Sequence, residues 1–90
     1  MLKVGASSSF KRDLKHAEKQ NRDLRLLDEV VLKIANREGL DAKHRDHALS
    51  GFWQGHRECH IRSDWLLIYK IEDGYLTLVR TGSHSLLFGK

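Results

Sequence analysis

The run Trp65-Leu66-Leu67-Ile68-Tyr69 limits the fold more than any other stretch of the chain. Alternate residues of a strand point to opposite sides, so five consecutive large apolar side chains require cover on both faces. WLLIYKIE therefore reads as a central strand. Asp73-Gly74 follows, a pair suited to a two-residue hairpin turn, and YLTLVRTG reads as the return strand. RECHIR precedes the run, set off by Ser63-Asp64. With 90 residues there is room for one core, so the chain reads as a single domain over 1–90.

Two helices come first. Phe10, Leu14 and Ala17 recur at helical spacing after a group of serines that suits a helix start. Leu24, Leu27, Val31 and Ile34 line a second helix, with Asp23 in its first turn and Gly39 placed to end it. The short link between them predicts an antiparallel hairpin. MLKV is a candidate edge strand. Residues 40–56, LDAKHRDHALSGFWQGH, have no period and read as a long ordered loop tied down by Leu49, Phe52 and Trp53. The helices can cover only one face of the sheet, which leaves the loop and the tail SHSLLFGK for the other.

Composition narrows the function classes. No run approaches the ~18 apolar residues of a membrane span, and MLKVGASSSFKRDLK lacks a signal-peptide core. The single cysteine cannot staple the chain internally, which favours a cytoplasmic protein. Lys and Arg outnumber Asp and Glu by 16 to 12, and a pI near 9.5 suits a polyanion or an acidic partner.

Hairpin counting locates the polar residues. With Asp73-Gly74 as a turn, Leu67 falls opposite Arg80. With Ser63-Asp64 as a turn, His60 falls opposite Leu67. His60, Leu67 and Arg80 then share one row, with Trp65 on the same face. Cys59, Ile61, Leu66, Ile68 and Val79 point the other way, under the helices. A slip of one residue flips His60 across the sheet. Each polar residue has a plain reading beside the chemical one: His60 as a structural histidine, Arg80 as an ion-pair member, Asp64 as a turn former and Trp65 as core. His44 and His47 with Cys59 and His60 are a poor metal set, since Cys-x-x-Cys and His-Glu-x-x-His spacings are both missing. No cofactor is expected. Cys59, under the helices, is no nucleophile, and His16 and His56 are expected to be exposed.

The order KHRDHALSG, RECHIRSDWLLIYK and VRTGSHSLLFG resembles the YafQ branch of the RelE-type toxins, which are bacterial ribosome-dependent mRNA endonucleases. The resemblance is carried by His47, then His60-x-x-x-Asp64-Trp65, then Arg80-x-x-x-His84 and Phe88. It departs from the family in having no proline before His47, and Lys90 lengthens the tail slightly. The resemblance implies an α+β fold, two N-terminal helices packed on a small, mostly antiparallel four-stranded sheet, with the active site on its open face. It also implies an antitoxin partner that alone carries the contact with operator DNA, and a ribosome with its mRNA as the working context.

The chemistry implied is metal-independent RNA cleavage. A 2′-hydroxyl attacks the neighbouring phosphorus, the phosphorane charge is stabilised, and the departing 5′-oxygen receives a proton. Imidazoles suit both proton transfers, and a guanidinium suits the phosphorane. Arg80 is expected on the scissile phosphate and His84 on the leaving oxygen. His60, oriented by Asp64, is expected to assist removal of the 2′-proton, and His47 to support either step; the acid and base can be exchanged. Trp65 and Phe88 are expected to hold a nucleotide. Lys11, Arg12, Lys15, Arg22, Arg25, Lys43 and Arg45 would grip ribosomal RNA. The rival is a non-catalytic basic module that binds antitoxin or nucleic acid.

Overall fold

The structure, a computed structural model, describes residues 1–89; Lys90, expected to extend the tail, lies outside the described residues. The elements run β1 (Lys3–Ala6), α1 (Ser8–Lys19), α2 (Leu24–Ala35), β2 (His47–Ala48), β3 (Arg57–Arg62), β4 (Trp65–Glu72), β5 (Tyr75–Gly82) and α3 (His84–Phe88). Short 3₁₀ turns occupy Ala42–His44 and Gly51–Trp53. The sheet order is β1-β5-β4-β3-β2, with β1 parallel to β5 and the other pairs antiparallel. This is the expected α+β arrangement with a fifth strand. β2 has only two residues, too few for alternation to register in the sequence.

Local chemistry sets the element ends. The Ser7 hydroxyl accepts from the Phe10 N–H, capping α1, and donates to the Val79 carbonyl at 2.7 Å. Asp23 accepts from the Arg25 N–H at the start of α2. That helix stops at Ala35, before the expected Gly39, because Arg37 takes the left-handed conformation at φ 60°. Asp73 and Gly74, at φ 52° and 80°, form the tight turn between β4 and β5.

β4 is covered on both faces, as the apolar run requires. Trp65, Leu67 and Tyr69 join Phe10, Leu27 and Ile34 in the main core under α1 and α2. Leu66 and Ile68 pack on the opposite face with Leu87, Trp53, Leu49 and Phe88, so loop and tail do supply the second cover. Phe52 does not help to tie the loop down: it is 91% exposed.

The counted register differs from the observed one at two bulges. Ile61 is an extra residue in β3, so His60 pairs with Leu66 instead of Leu67. Val79 is an extra residue in β5, so Arg80 pairs with Ile68 instead of Leu67. The face assignment changes accordingly. His60 lies with Leu66 on the face under the tail, whereas Trp65 and Leu67 lie beneath the helices. Cys59 and Ile61 do lie under the helices, as expected.

Candidate active site

β3 presents Glu58 and His60 on the face under the tail, two residues apart and so on one side of the strand. β2 sets His47 directly across from Glu58. The Glu58 carboxylate is buried, and its Oε1 lies 3.5 Å from His47 Nε2 and 3.7 Å from His60 Nε2. One carboxylate thus lies between two imidazoles. Glu58 is a residue the sequence reading missed; the available signal was its place two before His60 in a strand.

The loop that carries His47 is pinned at three points. His44 Nδ1–H donates to the His60 carbonyl at 2.7 Å, so His44 anchors the loop to β3. Asp46 accepts from the Tyr69 hydroxyl at 2.6 Å and lies 3.4 Å from the Arg57 guanidinium. Burial and the Asp46 carboxylate both push the Tyr69 hydroxyl well above its ordinary pKa, so it stays a donor. The His47 ring itself donates from Nδ1 to the Arg45 carbonyl at 2.6 Å, which turns Nε2 toward Glu58.

α3 brings the third imidazole. Ser83 caps the helix by accepting from the Leu86 N–H. Asp64, at the turn between β3 and β4, accepts both the backbone N–H of His84 at 3.1 Å and its ring Nδ1–H at 2.9 Å. These two hydrogen bonds hold the Asp64 carboxyl below its ordinary pKa. Asp64 therefore orients His84, where His60 was expected. The His60 and His84 rings lie 5.7 Å apart, and the Phe88 ring lies 6.3 Å from His84.

Trp65 is placed differently from expectation, whereas Arg80, opposite Ile68, keeps to the face of His60. Trp65 is 1% exposed, its indole N–H donates to Thr81 at 2.9 Å, and the Arg22 guanidinium sits 5.3 Å from its ring centre. A base has no open face of this ring to stack on, and core packing is its part. Arg80 is half-buried and paired with Asp13 of α1, Nε to Oδ2 at 2.6 Å and Nη2 to Oδ1 at 3.0 Å. Cys59 is buried, and desolvation pushes its thiol up to about 12, which leaves no thiolate for nucleophilic chemistry.

Ligand atoms of Glu58, His60 and His84 all lie within 4.8 Å of one another. A carboxylate with two imidazoles is a borderline donor set that fits zinc or copper, so the site can accept such an ion. It is a metal-compatible trio that the sequence reading, weighing His44 and Cys59 instead, did not assemble.

The chain resembles known proteins over nearly its whole length. Residues 2–89 match the family described as the bacterial toxin of type II toxin-antitoxin system, YafQ. The mRNA interferase toxin YafQ of Escherichia coli (strain K12) is 42% identical over 84 residues, covering 92% of this chain and 91% of that protein. The toxin in the E. coli DinJ-YafQ complex superposes with a TM-score of 0.90 at 38% identity, covering 99% and 100% of the two chains. A metal-bound toxin from Helicobacter pylori superposes with a TM-score of 0.92 at 44% identity, covering 98% and 100%. On sequence and fold together, the chain belongs to the YafQ family of type II toxin–antitoxin toxins.

Proposed function

We propose that the protein is an endoribonuclease that cuts mRNA on the ribosome without needing a metal, and that a cognate antitoxin restrains it. The observation that carries this reading is the convergence of imidazoles from three separate elements. His47 and His60 share Glu58, and His60 faces His84 at 5.7 Å between ring centres. The E. coli relative is an mRNA interferase, and a related E. coli toxin is seen in complex with DinJ.

His84 donates a proton to the departing 5′-oxygen. Its Nδ1–H is committed to Asp64, which leaves Nε2 as the working nitrogen. His60 assists removal of the 2′-proton, with Glu58 beside it, and His47 supports the developing charge. Arg80 stabilises the phosphorane, and Phe88, at the rim beside His84, holds a nucleotide base. The antitoxin is expected to bring an acidic or apolar segment to a groove of ≈ 600 Å³ rimmed by Lys33, Lys43, Arg45 and Arg62, and to make the operator DNA contact itself.

Cleavage of mRNA on programmed ribosomes tests the reading. His84→Gln is expected to lower the rate by ~10²–10⁴-fold with the melting temperature retained, and a 2′-deoxy nucleotide at the cut position is expected to resist. A folded His84→Gln protein that cuts at the normal rate would overturn the assignment. The Glu58–His60–His84 trio favours one further property, that copper or zinc binds there as an inhibitor, since the ion takes the nitrogens that move protons. A chelator selective for zinc and copper, with Mg²⁺ held constant for the ribosome, is expected to leave cleavage intact; loss of cleavage under those conditions would make the reaction metal-dependent.

A further inference from the structure

We propose that Asp13 is a positioning residue for RNA cleavage, holding the Arg80 guanidinium in the orientation that meets the phosphate. This rests on the role given to Arg80 above. Asp13 lies on the core-facing side of α1, with Phe10 and Ala17, and is 8% exposed. A carboxylate at such a position needs strong partners. It has three: Arg80 Nε and Nη2, and the backbone N–H of Thr81 at 3.1 Å. The third partner follows from topology. β1 covers β5 only along Tyr75–Leu78, so beyond Leu78 this edge of β5 pairs with no strand among the described residues. α1 takes over, with Ser7 on the Val79 carbonyl and Asp13 on the Thr81 N–H.

The geometry of the pair gives it chemical meaning. Asp13 engages the Nε–Nη2 side of the guanidinium. Nη1 and the outer N–H of Nη2 have no acceptor among the described residues, and the side chain remains 26% exposed. An arginine held along one side in this way presents its remaining fork in a fixed direction and gives up little rotamer freedom on meeting a phosphate. Both flanking residues are also held: Val79 through Ser7, and Thr81 through Asp13 and through its hydroxyl, which donates to the Leu66 carbonyl at 2.7 Å. The first helix, far from the imidazoles in sequence, thereby fixes the cationic part of the site.

The test is a double-mutant cycle on ribosome-programmed cleavage, run on Asp13→Asn, Arg80→Ala and the double variant, each first shown to be folded by circular dichroism and thermal melting. Asp13→Asn keeps the shape but removes the charge. It is expected to lower kcat by up to about 10²-fold, the scale of a modest misplacement, with little change in KM. Asp13→Glu is expected to restore part of the rate. In the Arg80→Ala background, Asp13→Asn is expected to add nothing, because the group it positions is gone. An equal, additive loss in that background would mean that Asp13 acts only on the fold and would overturn the inference. Normal cleavage by folded Asp13→Asn, alongside an inactive Arg80→Ala, would overturn the inference alone. Normal cleavage by Arg80→Ala would remove the role of Arg80 and this inference with it. Should Asp13→Asn fail to fold, Asp13→Glu in the same cycle decides: a partial loss of kcat that vanishes in the Arg80→Ala background supports the inference, and an unchanged kcat or an additive loss overturns it.

Discussion

At the scale of single residues, partner choice decides more than residue type. Asp64 and His60 lie four apart in sequence, which invites pairing them. The turn at Ser63-Asp64 instead sends the carboxylate to the start of α3, where it meets two donors of His84. Because those donors favour the ionised form, the Asp64 pKa is depressed in the folded protein. The contribution of the contact to stability is therefore fully present above the ordinary carboxylate value and is lost as pH falls through the lower, folded one. Titration of the Asp64 carboxyl by NMR is expected to show a midpoint below the ordinary aspartate value. A midpoint at or above that value would mean the contact with His84 is not made in solution. Trp65 and Arg80 make the same point. The plain readings, core aromatic and ion-pair member, describe where both sit, and any chemistry assigned to Arg80 has to work through that ion pair.

Among the elements, α3 is the one whose seat depends on a single glycine. A Cβ on Gly82 would lie 2.5 Å from Leu86 Cδ2, and φ at this position is +155°, a value side chains rarely adopt. Leu86 Cδ2 is the movable end of an exposed side chain, so the backbone angle at Gly82, more than that contact, opposes a side chain there. Gly82→Ala is therefore expected to shift α3, carrying His84 and Phe88 away from His60, while the sheet stays folded. Cleavage is expected to fall by about tenfold or more, the scale of a small misplacement, with the circular dichroism spectrum retained; unchanged cleavage would show that α3 can be reseated at no cost. The loop before β2 is built differently. It is held by side chains, His44 on the His60 carbonyl and Asp46 on Tyr69, and it carries no apolar period. That is why the sequence read as featureless there although its path is closely determined.

For the whole molecule, the proposed function draws on the distribution of charge. Net charge is +4, and the groove between α2, the 3₁₀ turn at Ala42–His44 and β3 gathers Lys33, Lys43, Arg45 and Arg62 against Glu29 and Asp41. Such a surface suits phosphates without reading sequence, and RNA would there compete with the expected antitoxin segment; its binding would release counterions. Affinity for programmed ribosomes is expected to fall steeply with added salt, and reversing Lys43 and Arg45 together should flatten the dependence by about two contacts' worth. A salt response unchanged by that reversal would place the RNA elsewhere on the molecule.

The apolar run at Trp65–Tyr69, the Asp73-Gly74 turn and the helical spacing in residues 8–35 were enough to specify two helices, three of the strands and the doubly covered β4, because period and turn chemistry are local properties. The spacing of His47, His60, Asp64, Arg80 and His84 likewise carried the family. Register and partners were not local. Each bulge adds one residue to a ladder and so changes which side chains meet, and nothing in RECHIR or YLTLVRTG marks Ile61 or Val79 as the extra one. Glu58 between two histidines, Asp64 on His84 and Asp13 on Arg80 join residues from different elements, so those contacts existed only once the tertiary packing had brought the elements together.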